Sequence, residues 1–462
     1  ERVWLFPGWA IRKPVTPSRS HVHKRSATPT DGPFTLELKV AGYCTSLRPP
    51  EQASRAQRAF MRLARSFSAL PRLPPAPSGS GSENASLRSY EEGTPPSGAG
   101  TPLMSPLLRA VITEEPEDID LINLDSPGAS GGNTPKEDQG EGRSPARKPT
   151  SLSLSTAPSS ANYADIDPEE LRTLHANLES RLQPFWASAL PGRKVRLTVT
   201  LPAPPPPQHS PSPSTVLANL VPSTGDTVLL TTEVTTNAQG FFDERLLVPW
   251  DKLLRAGGSA LSRLSSVSVR AEMVPLPTDT ADQPLPAHPT QLSPPLEFPL
   301  PPPPSLRVIS DIDDTVKHTG VLLGAKQVFH NVFVRHLDEL VLDGVGEWYR
   351  EMQAWGVGFH YVSNSPYELL PVIREFFDLA GLPHGSIKLK YYSPSAVFTG
   401  LWDSAAERKR AGVVEVLDAF PSSKFILIGD TGEQDMELYV QLAQERPTQV
   451  VGIFLRDVTP PS

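Results

Sequence analysis

Residues 306–315 read LRVISDIDDT: an apolar run without alternation that ends in three carboxylates and a threonine. An unbroken apolar run of this length, closed by polar groups, is what a strand buried on both faces requires. The pattern returns at 357–363 (VGFHYVS), 387–391 (IKLKY), 424–429 (KFILIG) and 449–455 (QVVGIFL). Helical periodicity fills the intervals at about 334–354, 366–380, 407–419 and 435–445. Strands and helices in alternation predict a parallel sheet covered on both faces, so residues 305–462 are expected to form an α/β domain.

Ligands of such sheets bind at the carboxyl ends of the strands, and the polar residues gather there. The first strand ends in Asp311, Asp313, Asp314 and Thr315, the second in Ser363 and Asn364, and the fourth in GDTGEQD, Gly429 to Asp435. A single acidic pair usually caps a helix or faces solvent, but carboxylates at two strand ends that meet in one sheet repel one another unless a cation holds them. An all-oxygen cluster of this kind suits magnesium, which keeps waters and takes substrate phosphate oxygens as further ligands.

The order DxDxT, strand-terminal Ser, later Lys and GDxxxxD resembles the four motifs of the haloacid dehalogenase superfamily. More narrowly, VISDIDDTVKHTG (308–320), YVSNSPYEL (361–369) and KFILIGDTGEQDMELY (424–439) resemble the catalytic domain of the actin patch protein type of Mg-dependent phosphatidate phosphatases. The opening ERVWLFPGWA (1–10) is similar to that family's N-terminal region. The resemblance implies a haloacid dehalogenase-like, Rossmann-like fold and hydrolysis of phosphatidate to diacylglycerol and phosphate. It implies Asp311 as nucleophile forming an aspartyl-phosphate, Asp313 as general acid and base, Thr315 beside them, and Ser363 and Lys409 on the transferring phosphoryl group. Magnesium would be held by Asp311, the Asp313 carbonyl, Asp430 and Asp435. Lys388, Lys390 and Arg410 compete with Lys409 for its role. About 45 residues between the first two motifs leave room for only a small cap, and an open site suits a lipid head group or a protein side chain.

Upstream, the chain changes character. Of 53 prolines, 45 lie in the first 304 residues and 8 in the last 158, against a usual share of roughly 5%. Residues 1–70 read as an N-terminal region with a strand at 34–44 (FTLELKVAGYC) and a basic amphipathic helix at 51–70. In that helix Arg55, Arg58, Arg62 and Arg65 share one side, with Ala56, Phe60, Leu63, Phe67 and Leu70 opposite. Either it packs on the protein with a solvated arginine face, or it lies on an anionic membrane. Residues 71–161, rich in Ser, Pro and acidic groups, are expected to be disordered. Residues 162–274 read as a helix plus a small antiparallel β-sandwich-like domain. Asp167, Pro168 and Glu170 start the helix as a capping box, and strands follow at 194–201, 227–236, 241–248 and 266–274. A hairpin turn is expected at Asn237–Gly240, a proline run interrupts the domain at 202–213, and the strand at 34–44 can complete it. Residues 275–304 read as a Pro-rich linker.

No run of about 18 apolar residues occurs, so no membrane-spanning helix is expected. The lone Cys44 excludes an internal disulfide or a cysteine-based zinc site and fits a reducing compartment. No signal-peptide pattern is visible in a sequence that opens at Glu1, and the expected location is cytoplasmic, peripheral to membranes or at the actin cortical patch that the resemblance implies. Residues 1–72 carry 13 Lys/Arg against 4 Asp/Glu, whereas 305–462 carry 14 against 21. With no aromatic-interleaved basic motif, nucleic-acid binding is not expected. Phosphatidate and other anionic membrane lipids are the expected partners. LINLD at 121–125 matches clathrin-box peptides, and the proline runs 204–207 and 301–304 suit Src-homology-3 domains. The alternatives are a phosphoprotein phosphatase, which an open DxDxT site also allows, and an endocytic scaffold or adaptor.

Overall fold

The computed structural model describes residues 1–15, 33–47, 55–73, 166–201, 227–257, 264–275, 292–300, 305–392 and 405–459. The segment 74–165 with LINLD, the proline run 202–213 and both candidate Src-homology-3 ligands lie outside the described residues.

Eight strands build an antiparallel sandwich: β1 (Arg2–Pro14), β2 (Phe34–Ser46), β3 (Ser188–Ala189), β4 (Lys194–Leu201), β5 (Thr227–Thr235), β6 (Phe241–Val248), β7 (Ser266–Met273) and β8 (Leu296–Pro299). β2 pairs with β1, β3 and β6 in one sheet, and the other runs β5-β4-β7-β8. Alternation decides what β2 buries. Leu36, Leu38, Val40 and Cys44 point into the sandwich with Val195, Leu197, Val267 and Phe298. Burial pushes the Cys44 thiol up to about 12, so it stays a neutral apolar filler.

The opposite face of the β1–β2 sheet is buried too, against the C-terminal domain. Phe6 and Tyr43 join that domain's core, and Trp9 stacks edge-on to His360 and lies beside Phe420. Residues three apart on a strand would normally face opposite sides, but a bulge between Phe6 and Trp9 shifts the register and puts both on the same face. Gly8 inside the bulge has no room for a side chain, since a β-carbon there would meet the Lys39 carbonyl at 2.1 Å.

Several expectations need correction. The strand at 34–44 completes the β domain, pairing with β6, but it brings with it β1, a strand that was not expected. The turn Asn237–Gly240 does not close a hairpin. Asn237 Oδ1 accepts from the amides of Gln239 and Phe241, yet β5 and β6 belong to different sheets, so the turn arches between the layers. The stretch 275–304 is not all linker, since β8 lies in it and buries Phe298.

The C-terminal domain contains β9 (Leu306–Ser310), β10 (Gly358–Pro366), β11 (Ser386–Lys390), β12 (Lys424–Asp430) and β13 (Val450–Arg456), all parallel, in the order β11-β10-β9-β12-β13. The order reverses at β9, which places the ligand crevice at the ends of β9 and its neighbours. Among the described residues, α1 (Arg55–Ser68), α2 (Pro168–Leu182) and α3 (Trp250–Gly257) precede the domain. Within it lie α4 (Ala325–Phe333), α5 (Val345–Ala354), α6 (Leu370–Ala380), α7 (Ala405–Ala419) and α8 (Asp435–Glu445). Of the single helix expected at 334–354 only the second half forms, as α5; a loop with a short turn at Asp338–Leu340 fills the first half, and α4 lies wholly upstream of the expected range.

The basic helix α1 packs on the C-terminal domain. Ala64 is fully buried in its core, the Phe67 ring lies edge-on to Phe329 of α4 at 5.1 Å, and Arg65 pairs with Glu179 of α2. The capping box at Asp167 does not form: no side-chain bond caps α2, and Glu170 instead contacts His336 at 2.8 Å.

Candidate active site

The chain leaves β9 at Asp311, whose amide still donates to the Ile428 carbonyl, and then turns sharply. Asp314 takes a left-handed conformation (φ 53°), rare for a residue with a β-carbon. Its carboxylate holds the turn by accepting from the amides of Thr319, Gly320 and Val321 at 2.9, 2.8 and 2.6 Å. Asp314 is thereby a structural clamp, and Asp311 and Asp313 are left aimed at the strand ends.

Asp311 is buried and gripped at both oxygens. Thr315 Oγ1 donates to its Oδ2 at 3.1 Å, and Lys409 Nζ lies 2.8 Å from its Oδ1. Asp313 accepts three hydroxyls: Thr319 at 2.7 Å, Ser363 at 3.0 Å and Ser365 at 2.7 Å. Lys409, buried on α7, also contacts Asp435, and Glu433 at 3.3 Å. Its rivals lie elsewhere: Lys388 pairs with Glu415, Arg410 with Glu445, and Lys390 lines a cavity of about 370 Å³ between sandwich and sheet.

At the end of β12, Asp430 Oδ1 accepts from the amides of Gly432 and Glu433 at 2.6 and 2.9 Å. Gly429 must be glycine, because a β-carbon there would lie 2.2 Å from Asp435 Oδ2. Carboxylate oxygens of Asp311, Asp430 and Asp435 all fall within 4.8 Å of one another, and the Oδ2 atoms of Asp430 and Asp435 are buried without a hydrogen-bond partner among the described residues. Orphaned buried carboxylate oxygens are costly unless a cation or water serves them.

The electrostatics agree. Burial raises Asp311 well above the usual carboxylate range, with Lys409 opposing and Asp435, Glu433 and Asp313 adding to the rise. Burial likewise raises Asp430, Glu433 and Asp435. Burial alone would lower Lys409, but Asp311, Asp435 and Glu433 hold it well above the ordinary lysine value. One ammonium facing four acidic side chains leaves excess negative charge, and the all-oxygen donor set fits a hard divalent cation.

The seven residues singled out in the sequence fall in two bonded groups at the strand ends, Asp311 with Thr315, Lys409 and Asp435, and Asp313 with Ser363, with Asp430 completing the acidic triple. Asp313 contributes no carboxylate to the acidic triple. Sequence reasoning missed Ser365 and Thr319. Ser365 was within reach, since it lies two residues after Ser363 on one strand and so shares its face; Thr319 arrives through a folded loop that leaves no periodic trace.

A five-stranded parallel sheet of this order, with DxDxT after its first strand and a Ser, a Lys and an acidic pair converging on it, defines a haloacid dehalogenase-like domain. Residues 306–457 match the family model described as "Phosphatidate phosphatase APP1, catalytic domain". Over 233 residues the chain is 35% identical to Phosphatidate phosphatase APP1 of Saccharomyces cerevisiae, covering 47% of this chain and 39% of that protein. It is 37% identical over 154 residues to an uncharacterized protein of Schizosaccharomyces pombe, covering 33% of this chain and 25% of that one. The chain thus spans well under half the length of these curated relatives. Among solved structures it aligns with a class C acid phosphatase from Bacillus anthracis at 15% identity and a TM-score of 0.21, covering 33% of this chain and 66% of that one.

Proposed function

We propose that the chain is a magnesium-dependent phosphatidate phosphatase, acting at a cytoplasmic membrane surface. The observation that carries this reading is the gripped Asp311 carboxylate, set among Asp313, Lys409 and the acidic triple inside a domain matching an APP1 catalytic domain.

Thr315 and Lys409 fix the Asp311 carboxylate so that one oxygen attacks phosphorus in line, forming an acyl phosphate as the bond to the glycerol oxygen breaks. Asp313, held by three hydroxyls, gives its proton to that leaving oxygen, and diacylglycerol departs. It then takes a proton from water, which attacks the acyl phosphate, releases inorganic phosphate and restores Asp311. Ser363 and Lys409 supply a hydroxyl and a positive charge to the phosphoryl oxygens, whose charge the transition state spreads. Asp311, Asp430 and Asp435 would hold magnesium, which when bound neutralises phosphoryl charge.

The test is phosphate release from phosphatidate in mixed micelles, beside a phosphopeptide panel, with magnesium and with EDTA. Turnover of phosphatidate that EDTA abolishes is expected. Preference for phosphopeptides would move the chain to the phosphoprotein phosphatases, and full activity in EDTA would remove the metal.

A further inference from the structure

We propose that the turn Gly320–Lys326 enters an anionic lipid surface and holds the mouth of the site against it; this rests on the phosphatidate phosphatase reading and names the surface through which that site meets its substrate.

The turn reads GVLLGAK. Val321–Leu323 form one tight helical turn between Gly320 (φ 76°) and Gly324 (φ 90°), both in the left-handed region that residues with a β-carbon avoid. Two such glycines push the turn outward. Leu322 is 48% and Leu323 51% exposed, and Ala325 and Lys326 are exposed beside them. Scattered exposed leucines need no explanation. These two are adjacent, at the tip of a turn whose base is tied to the catalytic loop.

Asp314, next to Asp313, clamps that base through three backbone amides, and Asn331 Nδ2 donates to the Thr319 carbonyl at 2.9 Å. The tip also borders the acidic cluster. Leu322 packs so close to Gly432 that a β-carbon there would lie 3.1 Å from its Cγ, while the Gly432 amide donates to Asp430. Whatever the leucines sink into is therefore brought to the rim of the site in fixed register.

Charge selects the occupant. Lys326 has no ion-pair partner among the described residues. The turn leads directly into α4, along which the basic helix α1 packs with Arg62 exposed. An apolar tip with an unpaired lysine beside it suits the headgroup layer of anionic membranes, where a phosphatidate headgroup lies.

The experiment uses the full chain and vesicles of phosphatidylcholine with and without phosphatidate. A double variant, Leu322→Ser with Leu323→Ser, is expected to lose at least tenfold in affinity for phosphatidate vesicles while turning over monomeric dihexanoyl phosphatidate at the wild-type rate. Because Cys44 is buried, Leu323→Cys can be labelled selectively with a polarity-sensitive dye, whose emission should shift to the blue on adding phosphatidate vesicles. Undiminished vesicle binding by the double variant, or a dye that stays in water, overturns the proposal. So does a wild type that is dimeric by light scattering and a double variant that is monomeric with vesicle binding intact, which would assign the turn to a second copy of the chain. Vesicle binding that depends on the leucines in a protein that hydrolyses no phosphatidate in any form would support the docking surface while removing the proposed activity.

Discussion

Lys409 Nζ lies 2.8 Å from Asp311 Oδ1, and both groups are shut away from water. Neither charge can be stable there alone. The ammonium is held by Asp311, Asp435 and Glu433 together, so one lysine both orients the Asp311 carboxylate, the proposed nucleophile, and offsets the repulsion that would otherwise open the cluster. Replacing it with methionine should therefore act twice. Phosphate release should fall by at least about a hundredfold, as when a charge-stabilising donor is removed. Stability at neutral pH should fall by about 3–5 kcal/mol, and the deficit should shrink as pH falls and the raised Asp311 and Asp435 carboxyls take up protons. Urea denaturation at several pH values separates the two effects.

The acidic triple predicts competition between metal and protons. Carboxyls raised by burial are partly protonated where exposed ones are not, and a cation must displace those protons. Magnesium affinity should therefore rise with pH through the mildly acidic range, with proton release visible in calorimetry as a dependence on buffer ionisation enthalpy. Asp430→Asn should abolish the magnesium-induced rise in melting temperature and leave the metal-free fold intact.

Ser365 supplies a sharper test of the site's geometry, because it touches Asp313 at 2.7 Å. Loss of one hydroxyl to a carboxylate costs about 1.5–3 kcal/mol. Ser365→Ala should lower kcat by roughly ten- to a hundredfold with KM little changed, and Ser365→Thr should recover most of it. Asp313→Asn should lose turnover altogether.

How much of this was legible followed the range of the interactions. Buried parallel strands announce themselves as apolar runs, and β9 to β13 fall within about three residues of their expected limits at either end. Strand ends gather polar groups by the geometry of the sheet, so Asp311, Ser363 and Asp430 were readable as one site. Partner choice between strands was not. Asn237 and Gly240 satisfy a tight turn whether the next strand returns to the same sheet or crosses to the other, and packing far away in sequence decides it. β1 hid because its bulge at Pro7 and Gly8 breaks the alternation, and β8 because its four residues sit among prolines.

Trp9 tests whether sandwich and catalytic domain are one cooperative unit. It is buried between them, against His360 and Phe420, with the Lys388 ammonium over its ring at 5.1 Å. Trp9→Ala should cost about 3–5 kcal/mol. A single sharp transition for wild type that becomes two in the variant would show that this contact couples the layers.

Glu368 gives the clearest pH prediction. It follows β10, is 7% exposed, and its Oε2 is buried without a hydrogen-bond partner among the described residues. Burial raises its carboxyl to about 7 from an ordinary value of 4.5. The sign follows from counting protons. Below pH 4.5 folded and unfolded chains both hold the proton, and Glu368 adds no pH dependence. Between 4.5 and 7 the unfolded chain ionises first, so the folded state loses ground as pH rises. Above 7 both are ionised and the full penalty, about 3 kcal/mol, is in place. Glu368→Gln removes the ionisation while keeping the shape. Its advantage over wild type in urea denaturation should therefore grow from pH 4.5 to pH 8 by about 3 kcal/mol. An advantage that stays constant across that range would mean that a neighbouring group solvates the carboxylate in the fold, and that its burial carries no titration.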